Sequence, residues 1–357
     1  MTARSSKSLL SALRLVAPGT PLREGLDRIL LSKMGALVVV GDSPDVLAIC
    51  SGGFLLDAEF SPQRLSELAK MDGAIILSTD GSRIARANVH LLPDVGMPTT
   101  ETGTRHRTAE RTARSVGSPV ISVSEEMSVI AVYRGGEKRQ VEPVDQIMRR
   151  STQAISTLEK FRQRMDTVLA ELSQHEVDNH VTVRDVAAAF QRCEMVRRLG
   201  EEVDTLVVEL GEEGRLANLQ QQESLEGVER ELDLLRRDYA VMPPKGKTID
   251  EALAKLTTED LGDLALIARS LGVADQSPTA LQQLLHPKGH RLLARVPRLS
   301  DQVIDHVAEH FDDLALLLKA TSTKLTEVES VGEVRARAIR DGLTRVVENT
   351  QTNTRNR

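Results

Sequence analysis

The chain has 357 residues, a formal net charge of −6 and 40% hydrophobic residues, which is enough for two or three cores of ordinary size. Aromatics make up 2% with no Trp, so the cores are aliphatic, and Cys50 and Cys193, far apart and outside any Cys-x-x-Cys spacing, exclude a disulfide framework and point to a reducing compartment. No run approaches the roughly 18 apolar residues of a membrane span, and "MTARSSKSLLSALRLVAPGT" carries charge on both sides of a short apolar stretch, so the protein is expected to be soluble and retained in the cytoplasm.

In the first 150 residues, helical stretches such as "PLREGLDRILLSK" and "SPQRLSELAK" alternate with β-rich runs: "GALVVV" (35–40), "GAIIL" (73–77), "NVHLL" (88–92), "PVISV" (119–123) and "SVIAVY" (128–133). The runs are mostly continuously apolar, as strands covered on both faces are. They predict an α/β domain, a mixed sheet flanked by helices, over residues 1–146. From Ser151 the period changes. Ile155, Leu158, Phe161, Met165, Val168 and Leu172 form the stripe of a long amphipathic helix, and helix continues to about Tyr239. "MPPKGKT" (242–248), with two prolines and a glycine, predicts a loop. Residues 147–285 thus form an all-α spine, and residues 286–357 a set of short helices ending in the polar tail "ENTQTNTRNR", which is expected to fray.

Charge follows the same division. Residues 1–150 hold 19 Lys+Arg against 17 Asp+Glu, residues 151–285 hold 15 against 25, and residues 286–357 hold 12 against 10. The sums of +2, −10 and +2 recover −6 and direct anionic ligands to the two ends.

The last segment contains a repeat at an offset of 32 residues: "VPRLSDQVIDHV" (296–307) aligns with "VESVGEVRARAI" (328–339), putting Val296, Leu299 and Val307 on Val328, Val331 and Ile339. The second copy resembles the helix-hairpin-helix DNA-binding motif, with Ser330-Val331-Gly332 at the turn and Ala336 and Ala338 after it. Gly332 allows a tight turn and lets the next helix turn its backbone N–H groups to a phosphate. The first copy has no glycine, so only the second is expected to be competent. Residues 331–357 carry six arginines (Arg335, Arg337, Arg340, Arg345, Arg355, Arg357) against three acids, as a surface that tracks a nucleic-acid backbone requires. Gly332, Arg335, Arg337 and Arg340 are the candidate DNA contacts, and such contacts to phosphates carry little base specificity.

Near the other end, "ETGTRHRTAE" (101–110) follows a strand and a Pro- and Gly-containing loop and enters a stretch of helical composition. A loop entering a helix leaves N–H groups unpaired; Thr104 or Thr108 is expected to cap them while Arg105, His106 and Arg107 converge from the same turn as an anion site. Upstream, Asp72 stands before Gly73 and Ala74 at the start of an apolar strand, so its carboxylate projects at a sheet end where small residues admit a ligand close to the backbone. Other motifs read as structure. "PPKGKT" lacks the first glycine and the leading strand of a phosphate-binding loop, "HVAEH" (306–310) reads as a solvated helix face, His90 as a packed or paired strand residue, and Asp80-Gly81 as a hairpin turn.

"MDGAIIL", "ANVHLLPD" and "ETGTRHRTAERTA" at these separations resemble the diadenylate cyclase domain. With the acidic helical spine and the terminal hairpin, nearly the full chain resembles the DNA integrity scanning family. The resemblance implies condensation of two ATP into cyclic di-AMP with release of two pyrophosphates, under the control of bound, branched DNA, in a bacterial cytoplasm close to the nucleoid. It implies that Asp72 binds Mg²⁺ or Mn²⁺, and that Thr104, Arg105, His106, Arg107 and Thr108 hold the phosphates. Gly73, Ala74 and Leu91 are implied to lie at the adenosine, and Ser124 at a phosphate. Two cyclase domains must then meet face to face, within an octamer of two rings. Glu125, Glu126 and Met127 depart from the basic run that some members carry after the serine. The alternative is a structural DNA-binding protein whose head only senses ATP.

Overall fold

The computed structural model describes residues 7–127, 129–239 and 248–355, the last three by backbone alone. They fold as two compact units, Met1–Ile155 with Glu201–Gln221, and Ser156–Gly200 with Gln222–Arg357.

The first unit opens with α1 (Lys7–Leu15) and α2 (Pro21–Leu31), the latter begun by Pro21 and capped by Thr20, whose hydroxyl accepts from the Arg23 N–H at 3.2 Å. Then come β1 (Ala36–Val40), α3 (Pro44–Ala48), β2 (Cys50–Ser51), β3 (Phe54–Glu59), α4 (Pro62–Leu68), β4 (Ala74–Leu77), β5 (Arg83–Leu91) and α5 (Thr104–Val116). The meander of β6 (Val120–Ser124), β7 (Val129–Arg134) and β8 (Glu137–Val141) follows. The sheet runs β2-β5-β4-β1-β6-β7-β8 with β3 also on β5; β1 and β4 pair in parallel, and β6 lies antiparallel to β1.

Alternation along β1 decides which layer meets which face. Val38 and Val40 join Ile75 and Leu77 under Leu9, Leu13, Leu26, Ile29 and Leu65 from α1, α2 and α4. Leu37 and Val39 join Ile76, Val89 and Tyr133 under Ala109 and Ala113 of α5. The five apolar runs form strands as expected. The sequence did not mark β3 and β8, whose residues are mostly exposed or half-buried and so lack an apolar run. Asp80 does sit in a β4–β5 hairpin turn, its carboxylate accepting from Ser78 Oγ at 2.6 Å and Ser82 N at 3.0 Å.

Beyond the sheet lie α6 (Val144–Val177), β9 (Val181–Thr182), α7 (Val183–Leu210), α8 (Arg215–Leu225), α9 (Val228–Asp238), α10 (Ile249–Ala254), α11 (Leu264–Leu271) and β10 (Leu284–Leu285). Ile155, Leu158, Met165 and Leu172 of the predicted stripe are buried. Residues 242–247 of "MPPKGKT" lie outside the described residues, and Thr248 caps α10 in a reciprocal box with Glu251.

The C-terminal helices are α12 (His290–Ala294), α13 (Asp301–Phe311), α14 (Leu314–Lys319), α15 (Ser322–Leu325) and α16 (Glu333–Arg355). The first copy makes its hairpin turn although it has no glycine there. Arg298 (φ 64°) and Ser330 (φ 67°), 32 residues apart, both adopt the left-handed conformation, so the first copy makes the same turn without glycine at a cost of about 1 kcal/mol. The first turn of the second helix closes alike in both, Ile304 N to Ser300 O at 3.1 Å and Ala336 N to Gly332 O at 2.9 Å. Val296, Val307, Val328 and Ile339 share one core. The tail expectation is corrected, since α16 runs unbroken to Arg355. This pair is joined to the spine helices of its own unit by buried charge. Arg291, 1% exposed, donates to Glu176 at 2.6 Å, and the Asp238 carboxylate accepts from the Gly289, His290 and Arg291 N–H groups at the start of α12.

Candidate active site

The register of the sheet brings the predicted residues to one edge. β1 and β4 pair in parallel from Leu37 and Ala74, so Gly35 and Asp72 each lead into a strand at the same end of the sheet. Antiparallel β5 ends on the same side, Ala74 facing Val89, and carries Leu91, half-buried and paired with Cys50. β6 ends there as well, Val123 facing Ala36, with buried Ser124 next. Asp72 and Gly73 are exposed and Ala74 is buried. Gly73 has φ 132°, and a Cβ there would stand 2.7 Å from the Asn88 carbonyl carbon. Only glycine lets the two backbones approach so closely.

Helix α5 meets this edge with its N-terminus. The expected threonine cap is absent: Gly103 (φ 75°) is the N-cap, without a side-chain cap bond, so the first N–H groups remain open. Thr104 and Arg107 are exposed on its outer face, and Thr108 is half-buried. Arg105 lies so close over Gly35 that any Cβ there would collide with its guanidinium. Among the described residues Asp72, Arg105 and Arg107 make no ion pair, unlike the nearby Arg114 and Arg139.

His106 does not point with the arginines. It shares the sheet-facing side of α5 with Ala109 and Ala113, and its Nδ1 lies 3.0 Å from Tyr133 Oη and 2.9 Å from Ser122 Oγ. The spacing of 106, 109 and 113 puts these residues on one helical face. Burial foremost, and then Lys138 and Arg105 against the opposing pull of Glu101, hold its pKa below the usual imidazole value. The incoming loop is fixed by Glu110, buried, whose carboxylate accepts from Thr99 Oγ1 at 2.6 Å, Thr100 N at 3.1 Å and Arg114 at 2.7 Å. Gly35, Gly103, Glu110, Ser122 and Tyr133 are thus site-shaping residues without a motif of their own.

Ser124 Oγ accepts from Met127 N at 3.3 Å in the β6–β7 turn, and Glu125 and Glu126 are exposed there. His90 is exposed on β5 rather than packed. In the second hairpin Gly332 has open space around it, and Arg335 and Arg337 are exposed, Arg335 donating to Ser330 O. Arg340 is half-buried and donates to Ala320 O, which ties it into the fold.

The model described as DisA bacterial checkpoint controller nucleotide-binding matches residues 23–138, and that of the DisA bacterial checkpoint controller linker region matches 141–280. The DNA integrity scanning protein DisA of Streptomyces coelicolor is 49% identical over 343 residues, 95% of this chain and 91% of that protein. The chain belongs to the DNA integrity scanning family. The DisA of Symbiobacterium thermophilum is 48% identical over 336 residues, 94% of each chain. In this family the head is a nucleotide-binding diadenylate cyclase domain, here the mixed α/β sheet with its helices, followed by a helical region. The crystal structure of DacA from Staphylococcus aureus aligns with 39% of this chain and 91% of its own at 25% identity and a TM-score of 0.30. No described helix is long and apolar enough to cross a membrane.

A divalent cation fits the edge in one way. Among the described residues no cluster of three His, Cys, Asp or Glu could enclose an ion. Exposed, unpaired Asp72 instead offers one carboxylate, as Mg²⁺ uses when substrate phosphates supply its other ligands.

Proposed function

We propose that the head condenses two ATP into cyclic di-AMP with loss of two pyrophosphates, and that DNA held by the hairpins lowers the rate. The carrying observation is the uncapped α5 N-terminus, with Arg105 and Arg107 lacking an acidic partner among the described residues and Arg105 lying over Gly35, at the same end of the sheet as Asp72. Open N–H groups and guanidiniums together select a polyphosphate. The backbone of Gly73 and Ala74, with Leu91 beside them, gives a base and ribose a close approach, while the Ser124 hydroxyl lies within the same row of strand ends. Asp72 would hold Mg²⁺ or Mn²⁺, which when bound lowers the barrier to attack of a ribose 3′-hydroxyl on an α-phosphorus. Arg105, Arg107, Thr104 and Thr108 orient the triphosphate and neutralise charge that grows on the departing pyrophosphate. Glu125 and Glu126 point to solvent and need not face that charge.

One head holds one nucleotide in this reading, and the product is two-fold symmetric, so two heads must oppose each other, as in an octamer of paired rings. Branched DNA is the proposed ligand of the hairpin pair, with Gly332 and Arg335 and Arg337 at its phosphates and a role in DNA damage signalling. The test is to incubate the full chain with ATP and Mg²⁺ or Mn²⁺ and assay cyclic di-AMP. Product is expected from the parent and none from Asp72→Asn. A head that binds ATP but yields no product with either ion would leave only a nucleotide sensor.

A further inference from the structure

Glu101 stands two residues before the Gly103 N-cap, an acid next to a helix end that is otherwise open and cationic. Two peptide units keep its Cα within about 8 Å of that of Gly103. Its N–H donates to Thr99 Oγ1 at 3.1 Å, and its side chain is only 14% exposed. Water therefore screens the carboxylate poorly, and a triphosphate on the first N–H groups of α5 lies within reach of its repulsion. Lys138 offsets that charge. Its Nζ is 2.6 Å from Glu101 Oε1 and 5.7 Å from the centre of the Tyr133 ring, whose hydroxyl lies 3.0 Å from His106 Nδ1 on the first turn of α5.

The sheet puts the lysine there. β8 ends the strand order, and Lys138 stands opposite Tyr133 in its ladder with β7. Arg139, the next residue, turns to the other face and pairs at 2.7 Å with buried Glu209 of α7, so this edge strand is held by an ion pair as well as by its ladder. The Lys138 side chain is 33% exposed, and a pair that open contributes little to folding. Its effect falls instead on the charge balance at α5. We propose that Lys138 is a charge-compensating residue of the nucleotide site: it covers the Glu101 carboxylate, so that the triphosphate meets only open N–H groups and guanidiniums at the start of α5. This rests on the nucleotide-binding reading of the head. The sign of each substitution follows. Removing the lysine uncovers the acid and weakens triphosphate binding, whereas neutralising the acid leaves the lysine in place and keeps or strengthens it. A pair that only shaped the loop would give a loss from either side.

The full chain is titrated by calorimetry with 3′-deoxy-ATP and Mg²⁺, which cannot react for want of the attacking hydroxyl, after urea unfolding has shown each variant to be folded. Lys138→Met should weaken binding by roughly tenfold at low ionic strength, as one uncovered charge within about a Debye length does. Most of that loss should vanish in about 1 M salt. Glu101→Gln should bind at least as tightly as the parent, and Lys138→Met with Glu101→Gln should return to within about threefold of it. Should Lys138→Met not fold, Glu101→Gln decides by its sign. Weaker binding in Glu101→Gln, a double variant no better than Lys138→Met, or parent-like binding in Lys138→Met each overturns the proposal alone. No binding by the parent overturns the nucleotide reading and this inference with it.

Discussion

Replacing Glu110 by Ala removes the group that fastens residues 99 and 100 to α5. Its carboxylate, 6% exposed, receives three hydrogen bonds, from Thr99, Thr100 and Arg114. At about 1.5 kcal/mol each, the low end for bonds to a charged group, these come to roughly 4.5 kcal/mol. Thr99 and Arg114 are only half-buried and regain water, so about 3 kcal/mol should be lost net, most of it as release of the loop that carries Gly103. Urea denaturation measures the total, and amide exchange at Thr100 should speed up by about a hundredfold. The sign with pH is fixed as well. Burial raises the Glu110 pKa, but the bonds from Thr99, Thr100 and Arg114 outweigh it and leave it lowered from 4.5. A lowered carboxylate contributes stability above its unfolded value and loses it as pH falls through the folded one, so Glu110→Gln should flatten the acid arm of the stability curve below about pH 4.5. Unfolding of Glu110→Ala at the parent's urea concentration, with Thr100 still protected, would refute the staple.

Gly73→Ala combines positive-φ strain with a clash on Asn88, for a loss of about 2–4 kcal/mol, and calorimetry should find weaker ATP binding without loss of the sheet. Arg291→Met strands Glu176 in a site 0–1% exposed and should cost about 3–5 kcal/mol, whereas Arg291→Met with Glu176→Met should recover most of it; denaturation of the two variants decides. Because that pair joins α12 to α6, substitutions at the hairpin surface separate DNA binding from folding better than deletion of residues 290–357. Arg335→Glu with Arg337→Glu should lower the slope of log affinity against log salt by about two in a DNA titration, and an unchanged slope would remove both from the phosphate surface.

Much of the head was readable because its strands are buried on both faces and so appear as apolar runs such as "GALVVV". Exposed edges leave no such trace, which is why β3 and β8 were missed. The hairpin pair was legible as a repeat of apolar positions, but its turns were not: Arg298 and Ser330 hold a left-handed backbone that residue type alone would assign to glycine, because two helices docked on a shared core over-determine it.

The sequence by itself determined the elements, the offset of the two hairpins, and the residue types that can meet phosphate, since periodicity and charge are local properties of the chain. Only the tertiary structure decided how the basic triplet divides. A helical turn sends 105 and 106 in different directions, and what waits in each direction comes from strands elsewhere in the chain: Gly35 makes room for the Arg105 guanidinium, while Ser122 and Tyr133 take the His106 ring inward.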